Sequence, residues 1–348
     1  MAEIAHGRGA LLTPETKLMD RRIDRERDRG QRLSAAMGVG SSYAFQAFEA
    51  LPSNFRAIES ALQFASGHVP FVAVYGPSGW GKTHLLEAVT SLLRRSSQGD
   101  VRPRQALEWV GQVRRADPPG QLVLDDVQDV MSRPKSRHEF KQAIELRMKT
   151  GRPTLLSFTG FDDAKALKAL LPSSRSWTYA RISPPTPEER ELVVRRIAEQ
   201  AGLTVNPSLA KMIARHLHGN GRSIAGALQR LQLLKREWSS DADVVRACGA
   251  LGPYLIGEDG WDPRDKVFET VSRELGSDGA RDIVTDMCCY LMLFDMGLSE
   301  TEVATFVTGT EGEVYARASR VKRSLKDPVQ LQMVNTCRNA VLRAFQQE

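Results

Sequence analysis

Residues 76–83 read Gly76-Pro77-Ser78-Gly79-Trp80-Gly81-Lys82-Thr83, the full G-x-x-x-x-G-K-[ST] pattern. Three glycines let the backbone turn tightly, so that its N–H groups converge on an anion at a helix N-terminus. Lys82 is placed to reach the β- and γ-phosphates of a nucleotide, and the Thr83 hydroxyl to ligate magnesium. Downstream, the apolar run Leu122-Val123-Leu124 ends in Asp125-Asp126. Together the two segments predict that the chain binds a nucleoside triphosphate, ATP or ADP, with Mg2+.

Those residues need a scaffold. The apolar run at 69–75 predicts a strand leading into the loop, and Leu85, Leu86, Val89, Leu92 and Leu93 predict a helix leaving it. Ser53 is positioned to cap an earlier helix whose apolar face holds Phe55, Ile58, Ala61, Leu62 and Phe64. Further strands are expected at 107–110, 121–124, 154–158 and 180–182, with a helix at 138–149. Strands alternating with helices imply a parallel sheet with right-handed crossovers. After Pro187 the strand signals stop. Amphipathic helices at 187–201, 207–218 and 222–238 predict a small helical lid. Residues 249–263, with four glycines and two prolines, read as a loop-rich joint, and 264–348 as a third, helical unit.

A chain of 348 residues suggests two or three domains. No apolar stretch approaches the roughly 20 residues needed to span a bilayer, and the first eight residues lack the apolar core of a secretory signal. The four cysteines, Cys248, Cys288, Cys289 and Cys337, show no C-x-x-C pair and read as buried thiols. A reducing, cytoplasmic setting without a membrane partner is expected. Net charge is +6. Residues 1–40 carry eight Lys/Arg against six Asp/Glu, 41–263 carry 29 against 23, and 264–348 carry eleven against thirteen. The excess on the middle of the chain supports a polyanionic partner there. The opening residues alternate charges around 21–29, as a solvated helix or disordered arm does.

The order of these motifs resembles the AAA+ ATPases, and within them the DnaA family of replication initiators with its Hda-like regulators. The resemblance begins with Tyr43-Ala44-Phe45-Gln46-Ala47-Phe48 and Pro52-Ser53-Asn54, and continues through Gly81-Lys82-Thr83-His84-Leu85-Leu86 and Leu124-Asp125-Asp126-Val127-Gln128. It extends to Ser174-Arg175, Ser183-Pro184-Pro185 and the lid segment from Asn220 to Leu228. It implies an α/β AAA+ domain with a parallel sheet and phosphate loop, a helical lid, and an all-α C-terminal domain. The boundaries it suggests are an arm at 1–42, the ATPase core at 43–186, the lid at 187–250, a linker at 251–263 and the last domain at 264–348.

Carried over position by position, the resemblance makes Asp125 a magnesium ligand through water and Asp126 the residue that orients the attacking water. It makes Arg222 a lid contact to the γ-phosphate of its own subunit. Arg175 becomes a finger offered to a neighbour's nucleotide, and Thr159 a polar sensor of the γ-phosphate. It implies ATP-dependent self-association and slow hydrolysis at the subunit interface, in replication initiation or its regulation. A replication initiator, a helicase or the polymerase clamp are the implied protein partners.

Two departures qualify this. Between Thr83 and Leu122 there is room for one helix, one strand and one short helix, without the insertion that initiators use on single-stranded DNA. In the C-terminal domain, Thr310-Glu311-Gly312-Glu313-Val314 stands where the family carries Asp-His-Thr-Thr. The next helix is basic, with Arg317, Arg320, Lys322, Arg323 and Lys326 available to touch a DNA backbone. The alternative is an interaction module, such as an adaptor, helicase loader or mobile-element regulator. There ATP would be structural and the C-terminal helices would dock a protein.

Overall fold

The computed structural model describes residues 48–96, 101–160, 164–217, 219–234, 237–256, 261–276 and 281–347. The charged arm at 1–42 and residues 43–47 of the family segment lie outside them. The chain divides into two compact units, Met1–Pro185 and Thr186–Glu348. No helix among the described residues is long and apolar enough to cross a membrane.

The first unit runs α1 (Phe55–Ala65), β1 (Phe71–Gly76), α2 (Lys82–Ser96), β2 (Pro103–Gln105), α3 (Ala106–Ala116) and β3 (Leu122–Asp125). It continues through α4 (Pro134–Lys149), β4 (Thr154–Thr159), α5 (Ala164–Leu170) and β5 (Thr178–Arg181). The five strands pair in the order β2-β3-β4-β1-β5, every neighbour parallel. Parallel neighbours need crossovers, and these lay helices on both faces, so the strands are apolar on both sides. Val72, Val74, Val123 and Leu155 face a core with Leu62, Phe64, Leu85 and Val89. Phe71, Ala73, Leu124 and Leu156 face the other, with Trp109, Phe140, Ile144 and Leu170.

Two local expectations change. Residues 107–110 belong to α3, and the edge strand is Pro103–Gln105. Ala106, Trp109 and Val110 are buried and Val113 packs beside them. That three-and-four spacing is helical, and a four-residue apolar window is too short to reveal it. At the start of α1 the N-cap is Asn54, not Ser53. The Asn54 Oδ1 accepts from the Leu51 N–H at 2.9 Å and its Nδ2 donates to the Glu49 carbonyl at 2.9 Å. The Ser53 carbonyl instead accepts the Ser183 N–H at 2.9 Å, tying the entrance of α1 to the chain beyond β5.

The second unit is helical: α6 (Pro187–Gln200), α7 (Pro207–His216), α8 (Gly221–Leu233), α9 (Ala242–Leu255), α10 (Pro263–Leu275) and α11 (Arg281–Tyr290). A π-turn (Leu291–Asp295), α12 (Glu300–Val307), α13 (Glu311–Ser324) and α14 (Pro328–Gln347) complete it. The joint expected from residue 249 is helical as far as Leu255. Gly249 is there for space: a Cβ on it would lie 2.3 Å from the Met296 carbonyl oxygen. The two backbones touch, and only glycine permits it. Lid and C-terminal helices also share a core. His216 of α7 stacks on Trp261 with ring centroids 4.0 Å apart, and Trp261 meets Phe345 of α14 at 6.1 Å. The divisions expected at 250 and 264 therefore fall inside one packed unit.

Candidate nucleotide site

The loop of residues 76–81 lies at the C-terminal end of β1, between β4 and β5. Open α/β sheets place their ligands beyond the carboxyl ends of the strands, where the strand order reverses. Here the chain leaves β1 for the far edge and returns across it to reach β5. The backbone fits a phosphate cradle. A Cβ on Gly76 would lie 2.1 Å from the Ile182 carbonyl oxygen, so the strand end can approach its neighbour only as glycine. Gly79 and Gly81 sit at φ of 79° and 91°, in the region that favours glycine. Pro77 is buried, Trp80 is half-buried against the apolar core, and Ser78 is exposed.

Helix α2 starts at Lys82, so the N–H groups of its first turn, and the positive end of its dipole, lie at the loop. The Lys82 side chain is 5% exposed, and its Nζ donates to the Gly76 and Pro77 carbonyls at 3.0 and 2.7 Å. A buried ammonium requires such partners; they hold the charge at the mouth of the cradle. Thr83, the next residue of α2, is exposed.

Strand register assembles the acidic half. Leu122 pairs with Thr154 and Leu124 with Leu156. The strand period of two then puts Asp125 on the same face as Val123 and beside Ser157. Asp125 is 2% exposed, and the buried Ser157 hydroxyl donates to its Oδ1. The Asp126 N–H donates to the Ser157 Oγ at 3.0 Å and to the Asp125 Oδ1 at 3.2 Å. These bonds hold Asp126 at φ 54°, ψ 50°, a left-handed conformation that aspartate tolerates better than most residues. Its carboxylate leaves the line of the strand, and its Oδ1 accepts from the Gln128 Nε2 at 2.9 Å. The Gln128 Oε1 accepts from the Thr159 N–H at 2.8 Å. The Thr159 backbone thus joins the cluster from the end of β4, opposite Gly76.

The donor set suits a hard cation. Thr83 and Asp125 offer oxygen ligands, and among the described residues no group of three or more His, Cys, Asp or Glu gathers to hold a metal by itself. Mg2+ keeps waters and leans on substrate phosphates, which a site with so few protein ligands accommodates.

Arg175 lies in the short turn Ser174–Ser176 of the first unit, exposed, and makes no hydrogen bond to a described residue. Arg222 is exposed in the first turn of α8, in the second unit. There the Asn220 Oδ1 caps the helix, accepting from the Arg222 N–H at 2.9 Å and the Ser223 N–H at 3.3 Å.

The basic helix α13 is less free than its sequence suggests. Arg317 donates to Asp286 at 2.8 Å and to Asp282 at 3.2 Å, and Arg320 grips Asp286 with two bonds of 2.9 Å. These bonds to α11 hold both guanidiniums above the usual arginine range. Lys322 lies 4.6 Å over the Phe294 ring. Arg323 bonds the Ser319 carbonyl at 3.3 Å and is exposed. Of the two acidic residues before them, Glu313 closes the capping box of the helix and Glu311 stands in its first turn. The Thr310 N–H and hydroxyl donate to the Glu313 Oε2 at 2.8 and 2.9 Å, and the Thr301 hydroxyl donates to Glu311 at 2.5 Å. Their charge favours a helix N-terminus.

Ser157 and Gln128 are cluster members that sequence reasoning did not single out. Gln128 follows Asp126 by two residues with nothing in its type to mark it, and nothing in the order of residues around Ser157 ties it to Asp125.

No protein-family model matches the chain. It is 24% identical over 337 residues to the chromosomal replication initiator protein DnaA of Deinococcus radiodurans, covering 87% of this chain and 72% of the relative. It is 26% identical over 219 residues to DnaA of Laribacter hongkongensis, covering 57% of this chain and 45% of that one. The chain thus spans about half the length of that relative. Among solved structures, domain III of Thermotoga maritima DnaA superposes with a TM-score of 0.51 at 20% identity, over 62% of this chain and 98% of that one. The chain is homologous to DnaA, and the fold it shares with that domain is the AAA+ phosphate-loop fold.

Proposed function

We propose that the chain is an ATP-binding AAA+ switch of the DnaA type, acting in the initiation of DNA replication or its regulation, with slow hydrolysis at a subunit interface. The observation that carries this reading is the pair of arrangements at the strand ends: Lys82 buried in a glycine cradle beyond β1, and Asp125 and Asp126 held by Ser157 and Gln128 at the end of β3. The loop amides and Lys82 bind the phosphates, and Thr83 and Asp125 hold Mg2+. The metal, when bound, neutralises charge that develops on the β- and γ-phosphates. Asp126 orients water for in-line attack, and Thr159 senses the γ-phosphate. Arg222 engages the nucleotide of its own subunit. Arg175, exposed and without a described partner, is offered to the nucleotide of a second copy.

Arg175→Ala and Asp126→Asn chains are each expected to be inactive, and their mixture to regain part of the ATPase rate. In a mixed pair one intact water-orienting site faces one intact arginine. A mixture as inactive as its components across a wide concentration range would contradict the shared site. A second reading, in which the C-terminal helices dock a protein, draws support from Asp282 and Asp286, which neutralise Arg317 and Arg320. Both readings keep the nucleotide site.

A further inference from the structure

We propose that Gln128 is a positioning residue for hydrolysis, a one-residue bridge that sets the Asp126 carboxylate from the end of β4. This rests on the hydrolytic reading above. The amide works at both ends. Its Nε2 donates to the Asp126 Oδ1 at 2.9 Å, and its Oε1 accepts from the Thr159 N–H at 2.8 Å. The second hydrogen on Nε2 faces the Asp129 Oδ1 at 3.4 Å.

Asp126 needs such a tether. It lies beyond the last paired residue of β3, its backbone is left-handed, and its side chain is half-buried. The backbone is fixed by Ser157 and Asp125 through the Asp126 N–H, but those bonds leave the carboxylate free to rotate. Gln128 removes that freedom by binding one oxygen. The other, Oδ2, accepts no hydrogen bond from a described residue and stays available to a water. A neutral amide suits the task. A lysine or arginine would compete with magnesium and Lys82 for the acid's charge, and a shorter asparagine would not span from the turn Val127–Val130 to β4. The bridge also gives the end of β4 a mechanical hold on Asp126. A shift of the backbone at Thr159, the strand end opposite Gly76 of the phosphate loop, displaces the amide and with it the carboxylate.

The two halves separate by mutation. Gln128→Ala removes both bonds. Gln128→Glu keeps the acceptor for Thr159 but cannot donate to Asp126. ATPase kinetics, MgATP affinity by calorimetry, and hydrogen exchange of the Thr159 amide are measured on wild type and both full-length variants, with Asp126→Asn as the reference for a lost water-orienting group. A hydrogen bond to a charged group corresponds to about a ten- to hundredfold change. Both variants are expected to lose about that much in kcat, with MgATP affinity and melting temperature near wild type. Thr159 exchange is expected to quicken in Gln128→Ala alone. The split between kcat and affinity is what a merely structural side chain would not produce. A kcat within twofold of wild type in Gln128→Glu overturns the bridge while leaving the hydrolytic reading intact. A wild-type chain with no turnover, or one no faster than Asp126→Asn, overturns both.

Discussion

Arg147 looks like a surface charge of α4 in the sequence, yet it is 1% exposed and anchors the ends of β3 and β4 that lie opposite the nucleotide site. Its Nε donates to the Thr154 hydroxyl at 3.0 Å. One terminal nitrogen donates to Asp117 at 2.7 Å and the Pro118 carbonyl at 2.8 Å, the other to the Gly120 and Pro153 carbonyls at 2.6 and 3.0 Å. Burial pulls this guanidinium below the usual arginine range, with Asp117 opposing the shift. Arg147→Met preserves the apolar stem and removes all five bonds. Asp117 keeps Arg152 at 2.9 Å, and the Pro153 carbonyl keeps the Leu122 N–H at 3.0 Å. The Pro118 and Gly120 carbonyls lose this donor, at about 1–3 kcal/mol each where water does not replace it. Breaking a buried ion pair costs about 3–5 kcal/mol overall. We take about 3–4 kcal/mol as the expected loss, which for a unit of this size lowers the melting temperature by roughly 6–16 °C. Calorimetric scanning of the full chain resolves the two units if they melt separately, and only the transition that MgATP raises should move. Arg147→Lys should recover less than half, because one ammonium cannot reproduce a five-donor fork. Nucleotide affinity of the folded protein should stay near wild type. A loss below about 1 kcal/mol would refute the reasoning that one guanidinium secures both strand starts.

The acidic caps of the second unit make its stability pH-dependent. Hydrogen bonds from Ser299 and Thr310 hold Glu302 and Glu313 below the usual glutamate range. Their contribution is therefore present above the unfolded value and lost as pH falls through the lower folded one; Glu313→Gln should flatten that acid limb in a pH series of thermal melts. Duplex DNA binding should be weakly sequence-selective and fall with salt by about one log unit per log of salt for each phosphate neutralised. Because Asp286 occupies Arg317 and Arg320, Asp286→Asn should tighten binding for every sequence alike in gel-shift titrations, and a hundredfold preference for a DnaA-type box would show base reading instead.

The parts legible in the sequence were those in which one short segment carries the whole requirement. The phosphate loop supplies its glycines, lysine and hydroxyl within eight consecutive residues, and the apolar runs around it fix where the strand and helix lie. Asp125 was visible because a buried strand ending in two carboxylates has little structural reason to exist. Ser157 was not, because its place beside Asp125 depends on the register between β3 and β4, and register is a property of the pair. Arg147 was hidden for a similar reason: its five acceptors come from two loops and the start of a strand, none of them near it on the helix. The 107–110 segment misled because four apolar or amphipathic residues suit either period. The glycines at 249 and 252 suggested a loop, whereas Gly249 answers to the Met296 backbone lying against α9. In α13, the positive residues were legible but their neutralisation by α11 was not.

The most direct test of the account is a calorimetric titration of MgATP into wild-type chain and Lys82→Ala, each checked for an unchanged melting transition without nucleotide. Wild type should bind one nucleotide per chain saturably, and the variant should bind about ten- to hundredfold more weakly, the scale of losing a charge-assisted bond to phosphate. Equal affinity in the two proteins would place the nucleotide elsewhere and contradict the site.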